Sequence, residues 1–223
     1  MPFEHSVRTI ALLGGTGNLG RGLATRFSSR YHVIIGSRFR KKAEAATEEV
    51  RQLVGRARSK RIVGMLNREA AQKAELVVFC VKLEPALRLA ARLKPKLKDK
   101  LILSPVAPKR RKGKFYVPRL GPHTSAALRL ARVLGQRSRV VAGFHTIPAP
   151  ILYSTKPLPD YSVVIYGEEP AKGTVMQMTN EMRGLQALDG GPLELSFLSE
   201  YATPLLMNLK RLNKCGSCSV RYF

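Results

Sequence analysis

Short apolar runs alternate along most of the chain with longer segments in which apolar residues recur every three or four positions. The runs from Arg8 to Leu13, Val33 to Gly36, Ile62 to Met65, Leu76 to Val81 and Leu101 to Ser104 read as strands. Several are nearly unbroken in apolar character, the pattern of strands covered on both faces. The periodic segments between them predict helices over Leu19 to Ser28, Lys41 to Arg56, Asn67 to Lys73 and Glu84 to Leu93. There follow a polar loop from Pro105 to Lys114, a helix over Thr124 to Leu134, a strand over Arg139 to Gly143, a loop from His145 to Pro159 and a strand over Ser162 to Tyr166. This order predicts an α/β fold, a doubly wound parallel sheet of Rossmann type. From Gly167 onward the pattern is mostly helical, with runs over Ala171 to Gly184 and Leu195 to Leu212. The expected organisation is a sheet domain over residues 1–167 and a small, mostly helical C-terminal appendage over 168–223. So short an appendage cannot bury a core of its own, so it is expected to pack on the sheet domain or on a second subunit and close a cleft there.

The first strand runs directly into Gly15-Thr16-Gly17-Asn18-Leu19-Gly20 and then into a helix, the G-x-G-x-x-G order of dinucleotide sites. In that setting Gly15 serves a tight turn, Gly17 lets the backbone approach a pyrophosphate, and Gly20 lets helix pack closely on strand. The free N–H groups at the helix start then face the anion. Past the second strand an NAD site would place an acid for the ribose 2′-hydroxyl, but the chain reads Ser37-Arg38-Phe39-Arg40-Lys41-Lys42. Hydroxyl and cationic donors suit a 2′-phosphate, with Arg38 supplying a planar fork that also stacks on adenine. The expected cofactor is NADP. The bland alternative is a solvated basic helix start, yet cations at a helix N-terminus oppose its dipole and call for a separate reason.

Charge adds to this picture. Across 223 residues, 39 Lys and Arg face 15 Asp and Glu, a net charge of +24 that raises local anion concentration over much of the surface. Two readings follow: steering of anionic small molecules, or nonspecific attraction to nucleic acid through phosphate neutralisation. The basic clusters at Arg38 to Lys42, Arg56 to Arg61, Lys94 to Lys100 and Lys109 to Lys114 lack the interleaved aromatics of a stacking platform, which favours small anions. The longest apolar run, Leu76 to Val81, is too short to span a bilayer. The first residues lack a charged segment followed by an apolar one, so no signal peptide is expected and the expected location is cytoplasmic.

Three cysteines without a secretory signal argue against a disulfide framework. Cys80, inside Val77-Val78-Phe79-Cys80-Val81, reads as a small buried hydrophobe. Cys215-Gly216-Ser217-Cys218 has redox or zinc spacing, but no second pair exists to complete four zinc ligands and the strand and helix context of a redox motif is missing, so no metal site is expected. No Ser-His-Asp set or paired acids suggests hydrolysis. His145 is the one histidine at an expected strand end over the cleft. It is either a loop histidine bonded to backbone or a candidate catalytic residue that stabilises developing charge.

Beyond the glycine loop, the chain resembles the archaeal NADPH-dependent reductases of the deazaflavin coenzyme F420. The resemblance runs through Ala11 to Gly20, Gly36 to Arg38, Ser104 to Pro108, His145 to Ala149, Leu188 to Leu193 and Thr203 to Asn208, nearly the whole chain. It implies reversible hydride transfer between NADP(H) and coenzyme F420, with the protein holding two rings face to face at about 3 to 3.5 Å and excluding water. It implies phosphate contacts at Thr16, Gly17, Asn18 and Leu19, and 2′-phosphate contacts at Ser37, Arg38 and Lys42. It places Leu83, Leu87 and Ala149 on the nicotinamide side, with the deazaflavin near His145 and Cys218. The segment Val81 to Glu84 departs from the family's apolar, proline-bearing version, and the Lys109 to Lys114 loop is more basic than the family leads one to expect.

Expected partners are small anionic cofactors and a second copy of the chain. Two other classes remain open at this point: an NADPH-dependent reductase of another acceptor, such as a flavin, a ferric chelate or an imine, since fold does not fix substrate, and a nonenzymatic NADP-binding protein associated with nucleic acid.

Overall fold

A computed structural model describes residues 7–136 and 139–222. Five strands, β1 (Thr9–Leu13), β2 (His32–Ser37), β3 (Ile62–Leu66), β4 (Leu76–Phe79) and β5 (Leu101–Ser104), are joined by helices α1 (Asn18–Phe27), α2 (Arg40–Val54), α3 (Arg56–Ser59), α4 (Asn67–Lys73) and α5 (Leu83–Leu97). With β8 (Val140–Ala142) they form one parallel sheet in the order β3-β2-β1-β4-β5-β8. Strand order reverses between β1 and β4, which opens a crevice at their carboxyl ends, the place where ligands of open α/β sheets bind.

Both faces of the sheet are buried, which explains the unbroken apolar runs. Ile10, Leu12, Val33, Ile35 and Val78 pack against α1, α2 and the segments around Phe144 and Val163. Their sequence neighbours Ala11, Leu13, Ile34, Val77 and Phe79 pack against α4, α5 and α6 (Ala126–Leu134) on the other face. The long helix expected over Lys41 to Arg56 ends at Val54, because Gly55 takes a φ of 78° before the short α3.

Two expectations are corrected. The polar segment after β5, expected as a loop, contains a hairpin of β6 (Lys109–Lys112) and β7 (Phe115–Pro118), with Gly113 turning at a φ of 56°. All four residues of β6 are exposed cations, so no apolar alternation marked it as a strand. It is held by tertiary contacts to α9 (Phe197–Leu212). The Asn208 amide both donates to the Tyr116 carbonyl and accepts from the Tyr116 N–H, each at 2.8 Å, and Arg211 donates to the Lys114 carbonyl.

The tail is also less helical than expected. After the short α7 (Ala149–Leu152), β9 (Tyr161–Ile165) is followed by α8 (Ala171–Asn180) and by β10 (Leu185–Asp189), which pairs in parallel with β9. The division placed at residue 167 therefore falls inside a βαβ unit. Paired hydrogen bonds of 2.9 Å between Ala142 and Tyr166 tie this unit to β8 at the edge of the main sheet. Leu185-Gln186-Ala187-Leu188-Asp189 carries no β-branched or aromatic residue, so its strand conformation comes from pairing rather than from propensity.

A 3-10 turn (Leu193–Ser196) leads into α9, which packs back on the sheet domain. Its Glu200 carboxylate is buried and accepts the Ala126 N–H at 2.9 to 3.0 Å, and Ser125 Oγ accepts the Leu128 N–H at 3.0 Å, so the two side chains cap α6 together. Burial pushes the Glu200 carboxyl up to about 8. Among the described residues no helix is long and apolar enough to cross a membrane.

Candidate functional site

The glycine loop joins β1 to α1. The tight turn expected at Gly15 is made one residue earlier: Gly14 has a φ of 70°, and a Cβ there would stand 2.1 Å from Val81 Cγ1. Gly15 is closed to any side chain by the Leu12 carbonyl oxygen, 2.7 Å from an ideal Cβ, and its N–H is held by the Leu12 and Gly36 carbonyls. A Cβ on Gly20 would stand 2.3 Å from Gly15 Cα and its carbonyl oxygen, so α1 and the loop touch backbone to backbone. Gly17 differs: an added Cβ would meet no protein atom within 4 Å. Gly17 is also the N-cap of α1, makes no side-chain cap bond, and has no acid in the turn that follows. The helix start around Gly17, Asn18 and Leu19 thus presents uncapped N–H groups beside open space, the physical description of an anion cradle.

Asn67 at the start of α4 was not singled out by the sequence reading, yet it holds this loop. Its side chain is buried, and Oδ1 accepts the Gly14 N–H at 3.0 Å. An asparagine opening a helix is a cap signal, which gives no hint of a partner on a distant glycine.

At the end of β2, Ser37 is buried with Oγ accepting the Phe39 N–H at 3.3 Å, while Arg38 and Lys42 are exposed. Their cationic groups lie 5.8 and 5.4 Å from the centre of the exposed Phe39 ring. No ion pair engages either among the described residues, whereas neighbouring Arg40 pairs with Glu69 at 2.7 Å. Two uncompensated cations beside a serine hydroxyl match the chemistry of a 2′-phosphate.

The loop after β8 supplies the other half of the site. Phe144 is held at a φ of 66°, uncommon for a bulky side chain, and next to it His145 is buried. Neither ring nitrogen of His145 finds a hydrogen-bond partner, and the buried Ser104 hydroxyl at the end of β5 lacks one too. Burial pushes the imidazole down to about 4; the Ser104 backbone acts in the opposite direction without completing a hydrogen bond of normal geometry. Thr203 of α9 donates to the His145 carbonyl at 2.9 Å and fixes the loop. Gly22 lets α7 approach α1, since a Cβ would stand 2.7 Å from Leu152 Cβ, and Arg26 donates to the carbonyls of Ile151, Leu152 and Lys156. These contacts bring Ala149 beside Asn18 and Leu19.

A cavity of about 550 Å³ runs between these parts. Asn18 and Leu19 of α1, His145 and Ala149 of the β8 loop, and Lys210 and Cys218 near the C-terminus all line it. Lys109 of the hairpin stands at its wall, held below the usual lysine range by desolvation and by nearby Lys82. Of the residues expected on the nicotinamide side, Ala149 lines the cavity and Leu83 and Leu87 do not. Leu83 is buried and Leu87 half-buried in the core on the α5 side of the sheet. Cys80 is half-buried against the opposite core, where burial pushes its thiol up to about 12. Among the described residues no group of three or more His, Cys, Asp and Glu could hold a metal ion.

Residues 9–108 match the family described as NADP oxidoreductase coenzyme F420-dependent. The chain is 31% identical over 215 residues to the F420-dependent NADP reductase of Methanocaldococcus jannaschii, covering 95% of this chain and 96% of that one. It is 33% identical over 224 residues to the F420-dependent NADP reductase of Methanothermobacter marburgensis, covering 95% and 96% respectively. In fold it superposes on a crystal structure of an Arthrobacter sp. FB24 protein proposed to be an F420-dependent NADP reductase, with a TM-score of 0.80 at 19% identity over 97% of this chain and 100% of that one. Near-complete coverage at this identity takes in the C-terminal half of the cavity as well as the glycine loop, and the chain belongs to the F420-dependent NADP reductase family.

Proposed function

We propose that the protein catalyses reversible hydride transfer between NADP(H) and the deazaflavin coenzyme F420. The observation that carries this reading is a single cavity reaching from the uncapped start of α1 to His145, Lys210 and Cys218. The residues fit both groups. The open space over Gly17 suits a pyrophosphate, and the exposed cations Arg38 and Lys42 beside Ser37 suit a 2′-phosphate. His145, which lines the cavity, suits a polar ring edge.

In this assignment Thr16, Gly17, Asn18 and Leu19 hold the phosphates, Ala149 lies on the nicotinamide side, and His145 and Cys218 border the deazaflavin. When bound, the two cofactors supply the hydride donor and acceptor, so the protein needs no acid–base triad. Its work is to orient and to exclude water. His145 stays neutral near pH 7, offering one N–H donor and one acceptor without adding charge. Thr203, bonded to the His145 carbonyl, holds that ring in place. The basic hairpin and Lys210 draw anionic substrates toward the cavity mouth.

Exposed leucines on α9 support a homodimer. Leu198, Leu205 and Leu212 are spaced by seven residues, with Leu209 between them, the repeat that seats one helix on another. Sedimentation of the protein and of a Leu205→Glu, Leu212→Glu variant reads this directly; a monomeric parent refutes it. The cytoplasmic location expected from the sequence belongs to the same reading.

The test of function is spectroscopic. Purified protein with NADPH and oxidised F420 should bleach the deazaflavin absorbance and restore it with NADP and reduced F420. Reduction of free flavin, a ferric chelate or an imine with F420 left unchanged would transfer the protein to another acceptor class.

A further inference from the structure

No step of the hydride transfer uses the thiol chemistry of Cys215-Gly216-Ser217-Cys218, yet the fold sets the two sulfurs against one another. Past the end of α9, Lys214 turns the chain at a φ of 52°, and Cys215 Sγ and Cys218 Sγ come to lie 2.8 Å apart as free thiols. A disulfide needs about 2.05 Å, so closing the bond asks for less than an ångström of movement. Ser217 and Cys218 line the cavity, and Cys215 does not. Beyond them the strap is tied down: Ser219 donates to the Thr146 carbonyl at 3.0 Å, Ser162 N–H donates to the Val220 carbonyl at 3.3 Å, and Tyr222 N–H donates to Ser162 Oγ at 3.0 Å. The strap is therefore fixed at its far end and joined to α9 through the dithiol.

We propose that Cys215 and Cys218 form a thiol–disulfide exchange site, oxidised by low-molecular-weight disulfides, that sets how well the adjoining cavity takes its second substrate. One cysteine loses its proton and attacks a sulfur of the small disulfide, releasing one small thiol and leaving a mixed disulfide. The second cysteine then loses its proton and displaces the remaining small thiol. Two protein thiols and one small disulfide become one protein disulfide and two small thiols, so atoms and electrons balance.

The surroundings fit a slow, regulatory pair rather than a catalytic oxidoreductase. The thiols sit at the C-terminal end of α9, where the helix dipole disfavours thiolate, and contact with Cys215 raises the Cys218 thiol above its usual range. The third thiol, Cys80, belongs to the core. Oxidation removes the Cys218 S–H from the cavity wall and locks the near end of the strap, so a ring-sized ligand that needs the strap to yield meets a fixed surface.

The effect on the cavity rests on its assignment to the deazaflavin; the thiol chemistry does not, and the two are tested separately. The protein is equilibrated with glutathione disulfide and then mapped by mass spectrometry. The expected product is an internal Cys215–Cys218 disulfide reversed by dithiothreitol, whereas Cys215→Ser, with unchanged activity when reduced, keeps a glutathione adduct on Cys218. Glutathione adducts persisting in the parent, or both thiols remaining unmodified, overturn the exchange site. In kinetics the oxidised parent should show a KM for F420 raised by about threefold or more, the scale of one weak contact, with the KM for NADPH unchanged. An internal disulfide that leaves the F420 KM untouched overturns its effect on the cavity. Absence of any F420 turnover by the reduced protein refutes the functional reading instead, and leaves the mass result to judge the dithiol.

Discussion

Gly17 and Gly20 lie three residues apart in the same motif, and the structure assigns them opposite costs on substitution. At Gly17 the backbone has a φ of −85° and a ψ of 175°, ordinary for any residue, and a Cβ meets no protein atom within 4 Å. Gly17→Val should leave stability within about 1 kcal/mol of the parent, with reduced freedom of the unfolded chain acting in its favour. The same side chain fills the space of the pyrophosphate. Losing two charge-assisted hydrogen bonds, each worth about 1.5 to 3 kcal/mol, raises the NADPH Kd by at least about 100-fold. At Gly20 a Cβ would stand 2.3 Å from Gly15 backbone, so Gly20→Ala must push α1 off the loop, an overpacking cost of about 1 to 3 kcal/mol before any ligand is added. Thermal unfolding with and without NADPH separates the cases. The Gly17 variant should unfold near the parent temperature but lose the NADPH-induced upshift, and the Gly20 variant should unfold early even without ligand. A folded Gly17→Val protein with an NADPH Kd within threefold of the parent would refute this placement of the phosphates.

Three further outcomes are expected. Arg38→Ala removes one charge-assisted contact, about 1.5 to 3 kcal/mol, and should erase most of a preference for NADP over NAD of at least tenfold; equal kcat/KM for the two cofactors in the parent would contradict the site. Replacing Arg110, Arg111 and Lys112 with Gln should raise the KM for at least one anionic substrate and spare the chemistry, with an effect that shrinks as salt rises because exposed charges are screened beyond about 8 Å at physiological ionic strength. Unchanged kinetics with weaker nucleic-acid binding by that variant would favour the nucleic-acid reading of the charge. Glu200 has a folded value near 8, above its usual 4.5, so its neutral form contributes stability that is present at acid pH and is lost as pH rises from about 4.5 through 8. Glu200→Gln keeps a carbonyl acceptor for Ala126 and should flatten the fall of Tm over that range; an identical pH profile in parent and variant would show that Glu200 is charged when folded.

The +24 charge gains a local meaning from the structure. Many cations are spread over the surface, but Lys109 and Lys210 line the cavity itself, and Arg38 and Lys42 are exposed at the end of β2 without an ion pair among the described residues. With no acid in the first turn of α1, the sites where phosphates are expected carry uncompensated positive potential.

The parallel doubly wound sheet, the glycine loop and the basic segment after β2 were legible in the sequence, because each is written in residues close together along the chain. Two-sided burial produced the apolar runs of β1, β2 and β4, and backbone contact required glycines at 15 and 20. The resemblance through His145 to Ala149 and Thr203 to Asn208 carried the family. Tertiary structure decided the rest, because its determinants lie far apart in sequence and no local pattern encodes them. The cationic β6 is a strand only because Asn208 and Arg211 hold its hairpin, and β10 forms only by pairing with β9. Asn67 matters only because folding brings it to Gly14, and Gly22 only because α7 must reach α1. His145 became a buried group, its imidazole pushed down by desolvation, only in the folded chain, where Thr203 of α9 holds its carbonyl, and two cysteines of weak motif value became neighbours once Lys214 turned the chain back on itself.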